Sequence, residues 1–282
     1  MSERDDFLSG DSGQITGPRL TIRATAADLM LRARAALALT ERRLDRLADR
    51  AERRSVLVLS VYRPGSRLPG TIPSLRSDRH DVRLALGATS RGPDPALAVD
   101  TALTGLDGGK FENLNRLLEV AGADHDWIVV ADDDVDLPPR FLDRFVALCE
   151  AIELDVAQPA QSARSHAAWQ VTRRRPGVAR ITRFVEIGPV TAFSRRAAAA
   201  LLPFPELRFG WGLDNHWSAV AREHGWTLGV IDALPVRHEW QPVAASYTHK
   251  EAIDEARQFL ADRPYVTRDE AQQTLQRIGR VP

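Results

Sequence analysis

The chain has 282 residues, and its 38 Lys plus Arg are balanced by 38 Asp plus Glu. Hydrophobic residues at 44% exclude a disordered chain, which would be poorer in apolar side chains and further from neutrality. The absence of a basic excess argues against nucleic acid as a partner. Lys110 and Lys250 are the only lysines; every other basic residue is arginine. The lone cysteine, Cys149, excludes an internal disulfide and a cysteine-based zinc site, and its apolar helical setting makes it a core residue. Residues 1–13 lack an apolar run of signal-peptide type, and no stretch approaches the ~20 apolar residues of a membrane span. These features predict a soluble, cytoplasmic protein.

In chain order, residues 1–20 are rich in Ser, Gly and Asp and read as a flexible tail. Residues 21–54 read as one long N-terminal helix. Thr25 with Asp28 resembles a capping box, and Met30, Ala33, Leu37, Leu44, Leu47 and Ala51 recur at three and four spacing. Between Arg32 and Arg54 stand eight arginines against four acids, so the outer face is basic. Three roles are open to this helix: packing on its own domain, homodimerisation, or peripheral contact with an anionic membrane.

Residues 55–62 (SVLVLSVY) form a Val-rich buried strand, and residues 81–89 a second. A helix follows over 113–121, a third strand over 127–131 (WIVVA) and a helix over 138–154. Strands alternating with helices indicate a parallel α/β sheet, with ligands beyond the carboxyl ends of the strands. The loops after Tyr62, Thr89 and Ala131 should therefore face one crevice. Residues 241–282 read as a helical C-terminal extension, with Thr267 and Glu270 as a capping box.

Asp132, Asp133, Asp134 and Asp136 follow the third strand directly. Four carboxylates in five residues repel one another and call for a cation; oxygen ligands suit Mg²⁺ or Mn²⁺ shared with substrate phosphates. An EF-hand is a poor alternative, because the sixth position counted from Asp132 is Leu137 where that loop needs glycine.

The segment 184–240 then supplies Gly188, Arg195-Arg196, Gly210-Trp211-Gly212-Leu213-Asp214 and a late His238. This ordered set, after Asp132-x-Asp134, resembles a GT-A-fold glycosyltransferase of family-2 type. The resemblance covers about residues 55–240. It implies a Rossmann-like, mostly parallel sheet flanked by helices, a nucleotide-sugar donor (UDP- or GDP-linked) and an acceptor hydroxyl. It also implies Asp132, Asp134 and His238 around Mn²⁺ or Mg²⁺, and Asp214 as the base of an inverting transfer. On the donor side it implies Tyr62, Lys110, Asn113, Asp133 and Arg195, and on the acceptor or sugar side Glu186, Trp211 and Gly212. Tyr247, His249 and Lys250 are further acceptor-side candidates. Leu213 stands where the family carries its first acid. Two other readings compete: a sugar-nucleotide pyrophosphorylase, echoed faintly by Gly65-Ser66-Arg67-Leu68-Pro69, and a non-catalytic carbohydrate-binding or scaffold protein.

Overall fold

The computed structural model describes residues 5–10, 12–238 and 248–282. The elements run α1 (Pro18–Leu37), α2 (Thr40–Arg50), β1 (Ser55–Tyr62), α3 (Leu68–Leu75), β2 (Asp81–Ala88), β3 (Thr101–Leu103), α4 (Lys110–Ala121), β4 (Trp127–Ala131), β5 (Val135–Asp136) and α5 (Phe141–Ala151). They continue with β6 (Val156–Gln161), β7 (Ala179–Thr182), β8 (Val190–Ser194), α6 (Arg195–Leu201), α7 (Leu213–Glu223), β9 (Leu228–His238), α8 (His249–Leu260), α9 (Arg268–Ala271) and β10 (Thr274–Ile278).

The sheet has the order β10-β7-β9-β6-β8-β4-β1-β2-β3, with β5 paired to β9. Strands β4, β1, β2 and β3 are mutually parallel, as are β6 and β9. Strand β8 runs against β4 and β6, and β7 runs against β9 and β10. Only β8 and β7 oppose the common direction of this path, so the sheet is mostly parallel, as expected. The central strands read as unbroken apolar runs because both faces are covered. Val56 and Val58 of β1 and Trp127 and Val129 of β4 join the core beneath α2, α3 and α5. Leu57, Leu59, Ile128 and Val130 point the other way, into the core formed with α4, α6, α7 and α8.

Four local expectations are corrected. The N-terminal helix is two helices, starting earlier than Thr25: Gly17 precedes α1, Pro18 occupies its first turn, and the chain breaks at Leu39, which is left-handed at φ 52°. The break lets Leu44 and Ala48 bury fully against the domain while Asp45 and Asp49 bridge to Arg140 at the start of α5. The N-terminal segment is tied down rather than free. Phe7 is buried, Asp5 pairs with Arg257, Tyr265 donates to Asp6, and Gly13 donates to the Ala168 carbonyl. The helix expected over 138–154 begins only at Phe141. The C-terminal extension is not wholly helical, since β10 adds an antiparallel edge to β7. Cys149 is buried, as read from the sequence. No helix among the described residues is long and apolar enough to cross a membrane.

Strands β7 and β9 are joined by a buried ion pair. Arg180 donates from Nε and Nη2 to the two carboxylate oxygens of Asp232 at 2.8 and 3.0 Å, and both residues are almost inaccessible. Arg180 also donates to the carbonyls of Val171 and Arg173, so its charge fixes the loop beneath the cleft. Asp232→Ala leaves that guanidinium buried without its counter-charge. The expected loss is about 3–5 kcal/mol of unfolding free energy, measured by urea denaturation.

Candidate active-site cleft

Above the carboxyl ends of β1, β2 and β4 lies a cleft of about 1550 Å³. Val61, Arg63, Thr89 and residues 131–134 line it, so the three expected loops do meet in one crevice. The acidic turn leaves β4 at its floor. Strand β5 then pairs with the end of β9, setting Val135 opposite His238. That pairing carries His238 across 103 intervening residues to Asp134, where Nε2 and Oδ1 are 2.9 Å apart. Asp132, Asp134 and His238 each offer a ligand atom, and all three lie within 4.8 Å of one another. Two carboxylate oxygens and an imidazole nitrogen form a donor set that fits Mg²⁺ or Mn²⁺.

Each acid of the cluster has its own compensation. Asp132 Oδ1 lies 2.5 Å from Lys110 Nζ, which also donates to the Ile187 carbonyl at 3.2 Å. Asp133 accepts from the backbone, Nε and Nη2 of Arg63 at 2.9, 3.1 and 2.6 Å. It therefore clamps the loop after β1 while still lining the cleft. Asp136 pairs with Arg67 at 3.0 Å. Burial would raise the Asp134 carboxyl, but the His238 hydrogen bond and the His238, Arg63 and Lys110 charges outweigh it and hold it low. Burial would likewise lower the His238 imidazole, yet Asp134 and Asp132 raise it above its ordinary value.

A second pair of acids occupies the opposite wall. Asp214 sits in the first turn of α7, whose preceding residue Gly212 is left-handed at φ 82°. A side chain at Gly212 would collide with Leu260, so the backbone approaches α8 as only glycine allows. Glu255 of α8 holds the incoming loop by accepting from the amides of Arg208, Phe209 and Gly210. Asp214 accepts from the Asn215 amide at 3.0 Å and from the Ile187 amide. Burial, with the neighbouring Glu186 charge, pushes its carboxyl up to about 8. Glu186 accepts from Gln161, the Ala168 amide and Thr172 at 2.9–3.0 Å, and burial raises it to about 7. Residues 186–188 link the two walls. Gly188 packs on Asp132, the Ile187 carbonyl takes Lys110, and the Ile187 amide takes Asp214.

The cleft thus brings together Asp132, Asp134, His238, Lys110, Glu186, Trp211, Gly212 and Asp214. Trp211 stands beside His249, with ring centroids 5.5 Å apart. Asn113 also reaches the lining; its amide nitrogen donates to the Gly108 carbonyl, and its oxygen has no partner among the described residues. Two expected donor contacts are not brought there. Tyr62 is turned by strand parity into the opposite core layer, with its hydroxyl on Thr101 and the Asp94 amide. Arg195 lies at the amino end of β4, bound to Asp124 and Asp126, because Ser194 pairs with Trp127. Tyr247 lies outside the described residues. The sequence reading also missed a whole wall of the cleft, formed by residues 7–10 and 14–16 of the supposed tail. The apolar residues Phe7, Leu8 and Ile15 in an otherwise polar stretch are the signal that marked it.

No protein-family model matches the sequence, and no curated protein matches it. Among solved structures, the fold is similar to that of S. aureus TarS 1–349 in complex with UDP-GlcNAc, with TM-score 0.49 and 14% identity over 72% of this chain and 64% of that one. A second S. aureus TarS structure gives TM-score 0.45, with 12% identity over 67% of this chain and 37% of that one. A mycobacterial protein gives TM-score 0.46 and 15% identity over 71% and 72%. The chain therefore spans less than two thirds of either TarS chain.

The two buried acids set a pH dependence of stability. The folded chain holds both protons to higher pH than the unfolded chain, whose carboxyls titrate near 3.8 and 4.5. Their contribution is intact below those values and is lost as pH rises through about 7 and about 8. Unfolding free energy should therefore fall between about pH 5 and 8, and Asp214→Asn should flatten the fall, as measured by denaturant unfolding across that range.

Proposed function

We propose that the chain is a metal-dependent glycosyltransferase that moves a sugar from a UDP- or GDP-linked donor to an acceptor hydroxyl with inversion. One observation carries this reading: a cation-suited Asp132–Asp134–His238 cluster and a buried acid titrating near 8 face the same cleft, joined through Ile187. The ordered sequence motifs that resemble family-2 GT-A enzymes support it.

In this reading Asp132, Asp134 and His238 hold Mn²⁺ or Mg²⁺, which neutralises charge on the departing diphosphate when bound. Lys110 adds a mobile positive charge on the same side. Trp211 offers an apolar face to a sugar ring. The acceptor oxygen attacks the anomeric carbon, the bond from that carbon to the diphosphate oxygen breaks, and the hydroxyl proton passes to the Asp214 carboxylate. A base titrating near 8 is matched to this task, since general-base efficiency is greatest when the pKa lies near the working pH. The Ile187 and Asn215 amides keep the Asp214 carboxylate oriented. Glu186 is a positioning residue that holds residues 161, 168 and 172 together and keeps the Asp214 proton affinity high.

The test begins with thermal unfolding in a panel of UDP- and GDP-sugars, with and without Mn²⁺. Stabilisation by at least one donor that depends on the metal is expected; none with any donor overturns the reading. Asp214→Asn should lower the transfer rate by roughly 10²–10⁴-fold with little change in donor stabilisation. Binding of Mn²⁺ alone, followed by its own thermal shift, should tighten as pH rises past the ordinary imidazole range and His238, whose proton affinity is raised by Asp134 and Asp132, loses its proton; His238→Ala should abolish that trend.

A further inference from the structure

Helix α1 runs for 20 residues without one buried side chain. Its inner face is the partly covered row Ala24, Asp28, Leu31 and Ala35. Asp28 fastens this row to the domain: it accepts from the Ala163 amide at 2.6 Å and lies 3.8 Å from Arg174. Ile22, Ala26, Leu29, Met30, Ala33 and Leu37 fall on the opposite side at helical spacing. The large ones are open to solvent: Ile22 is 68% exposed, Leu29 67%, Met30 59% and Leu37 85%. A contiguous apolar stripe of this kind marks an interaction surface.

Charge decides what the stripe meets. Arg19, Arg23, Arg32 and Arg34 are exposed on α1 and make no ion pair among the described residues. Asp28, the helix's one acid, is turned inward. On α2 the pattern repeats. Arg42, Arg43, Arg46 and Arg50 are exposed, while Asp45 and Asp49 are drawn onto Arg140. Glu41 is the one exposed acid outside these bridges.

We propose that α1 is a docking face for an anionic lipid bilayer, lying in the plane of the interface with its apolar stripe at the acyl boundary and its arginines against headgroup phosphates. Basic flanks around an apolar stripe are complementary to such a surface. A second copy of the chain would instead set unpaired arginines against unpaired arginines, with almost no acids to meet them. The dock has a geometric consequence. Thr21 and residues 14–16 line the cleft, so a helix laid on the bilayer holds the mouth of the cleft at the membrane surface.

Co-sedimentation of the full-length chain with vesicles tests this directly, without any sugar donor. Binding to vesicles containing roughly 30% phosphatidylglycerol should exceed binding to pure phosphatidylcholine by at least about tenfold and fall in high salt. The triple variant Arg19→Gln, Arg23→Gln, Arg34→Gln should weaken it on the order of 100-fold. A second triple variant, Ile22→Ser, Leu29→Ser, Leu37→Ser, should also lose binding. Neither set touches a buried residue, so both should unfold at the wild-type temperature. Equal sedimentation of wild type and both variants, or none by wild type, overturns the proposal. So does a solution mass of two chains that the serine variant reduces to one without any vesicle binding. Loss of vesicle binding leaves metal-dependent stabilisation by nucleotide sugars unaffected, so this proposal and the transferase reading fail separately.

Discussion

Four carboxylates leave the end of β4 within five residues, and the floor of the cleft is arranged around compensating them. Left together in a half-buried turn they would repel strongly, so each is assigned its own cation. Arg63 closes on Asp133 in a bidentate clamp and Arg67 reaches Asp136, which ties the loop after β1 over the strand end. Lys110 takes Asp132 and His238 takes Asp134. The compensation is unequal. Two acids are consumed by structural clamps, and the remaining two face the cleft with partners that can be exchanged. An ammonium on a flexible stem and an imidazole are both groups that yield to a divalent cation, whereas a bidentate guanidinium is not.

The opposite wall applies the reverse logic. Asp214 and Glu186 are buried near each other, and burial outweighs their hydrogen bonds and the Arg173 charge near Glu186, so both retain protons to unusually high pH. One residue, Ile187, touches both walls, its carbonyl accepting from Lys110 and its amide donating to Asp214. The cleft thus sets Asp134, whose carboxyl is held low by His238, opposite Asp214 and Glu186, whose carboxyls are raised by burial.

Much of this was legible in the sequence. The apolar runs of β1 and β4 announced buried parallel strands, and the acids after Ala131 announced two members of a cluster that could hold a cation. The errors have specific physical sources. Tyr62 was placed by its position at a strand end, but strand parity sends it to the far face. Arg195 was placed by its position in a motif, but β8 runs antiparallel to β4 and delivers it to the wrong end of the sheet. The apolar periodicity after residue 25 was real. Its second half, Leu44 and Leu47, packs on the domain, while its first half, Met30, Ala33 and Leu37, faces outward beyond a break that neither glycine nor proline marks.

The opening balance of charge shows the division most clearly. The sequence by itself determined that acids concentrate after β4, that arginines concentrate before β1, and that strands alternate with helices, because these follow from local spacing and propensity. Only the tertiary structure decided which charges meet. It turned Asp28 inward, drew Asp45 and Asp49 onto Arg140, and left the arginines of α1 and α2 outside. It also brought His238 to Asp134 through the pairing of β5 with β9. Such contacts join segments a hundred residues apart, and their partners are chosen by sheet order and strand direction, which no local pattern encodes.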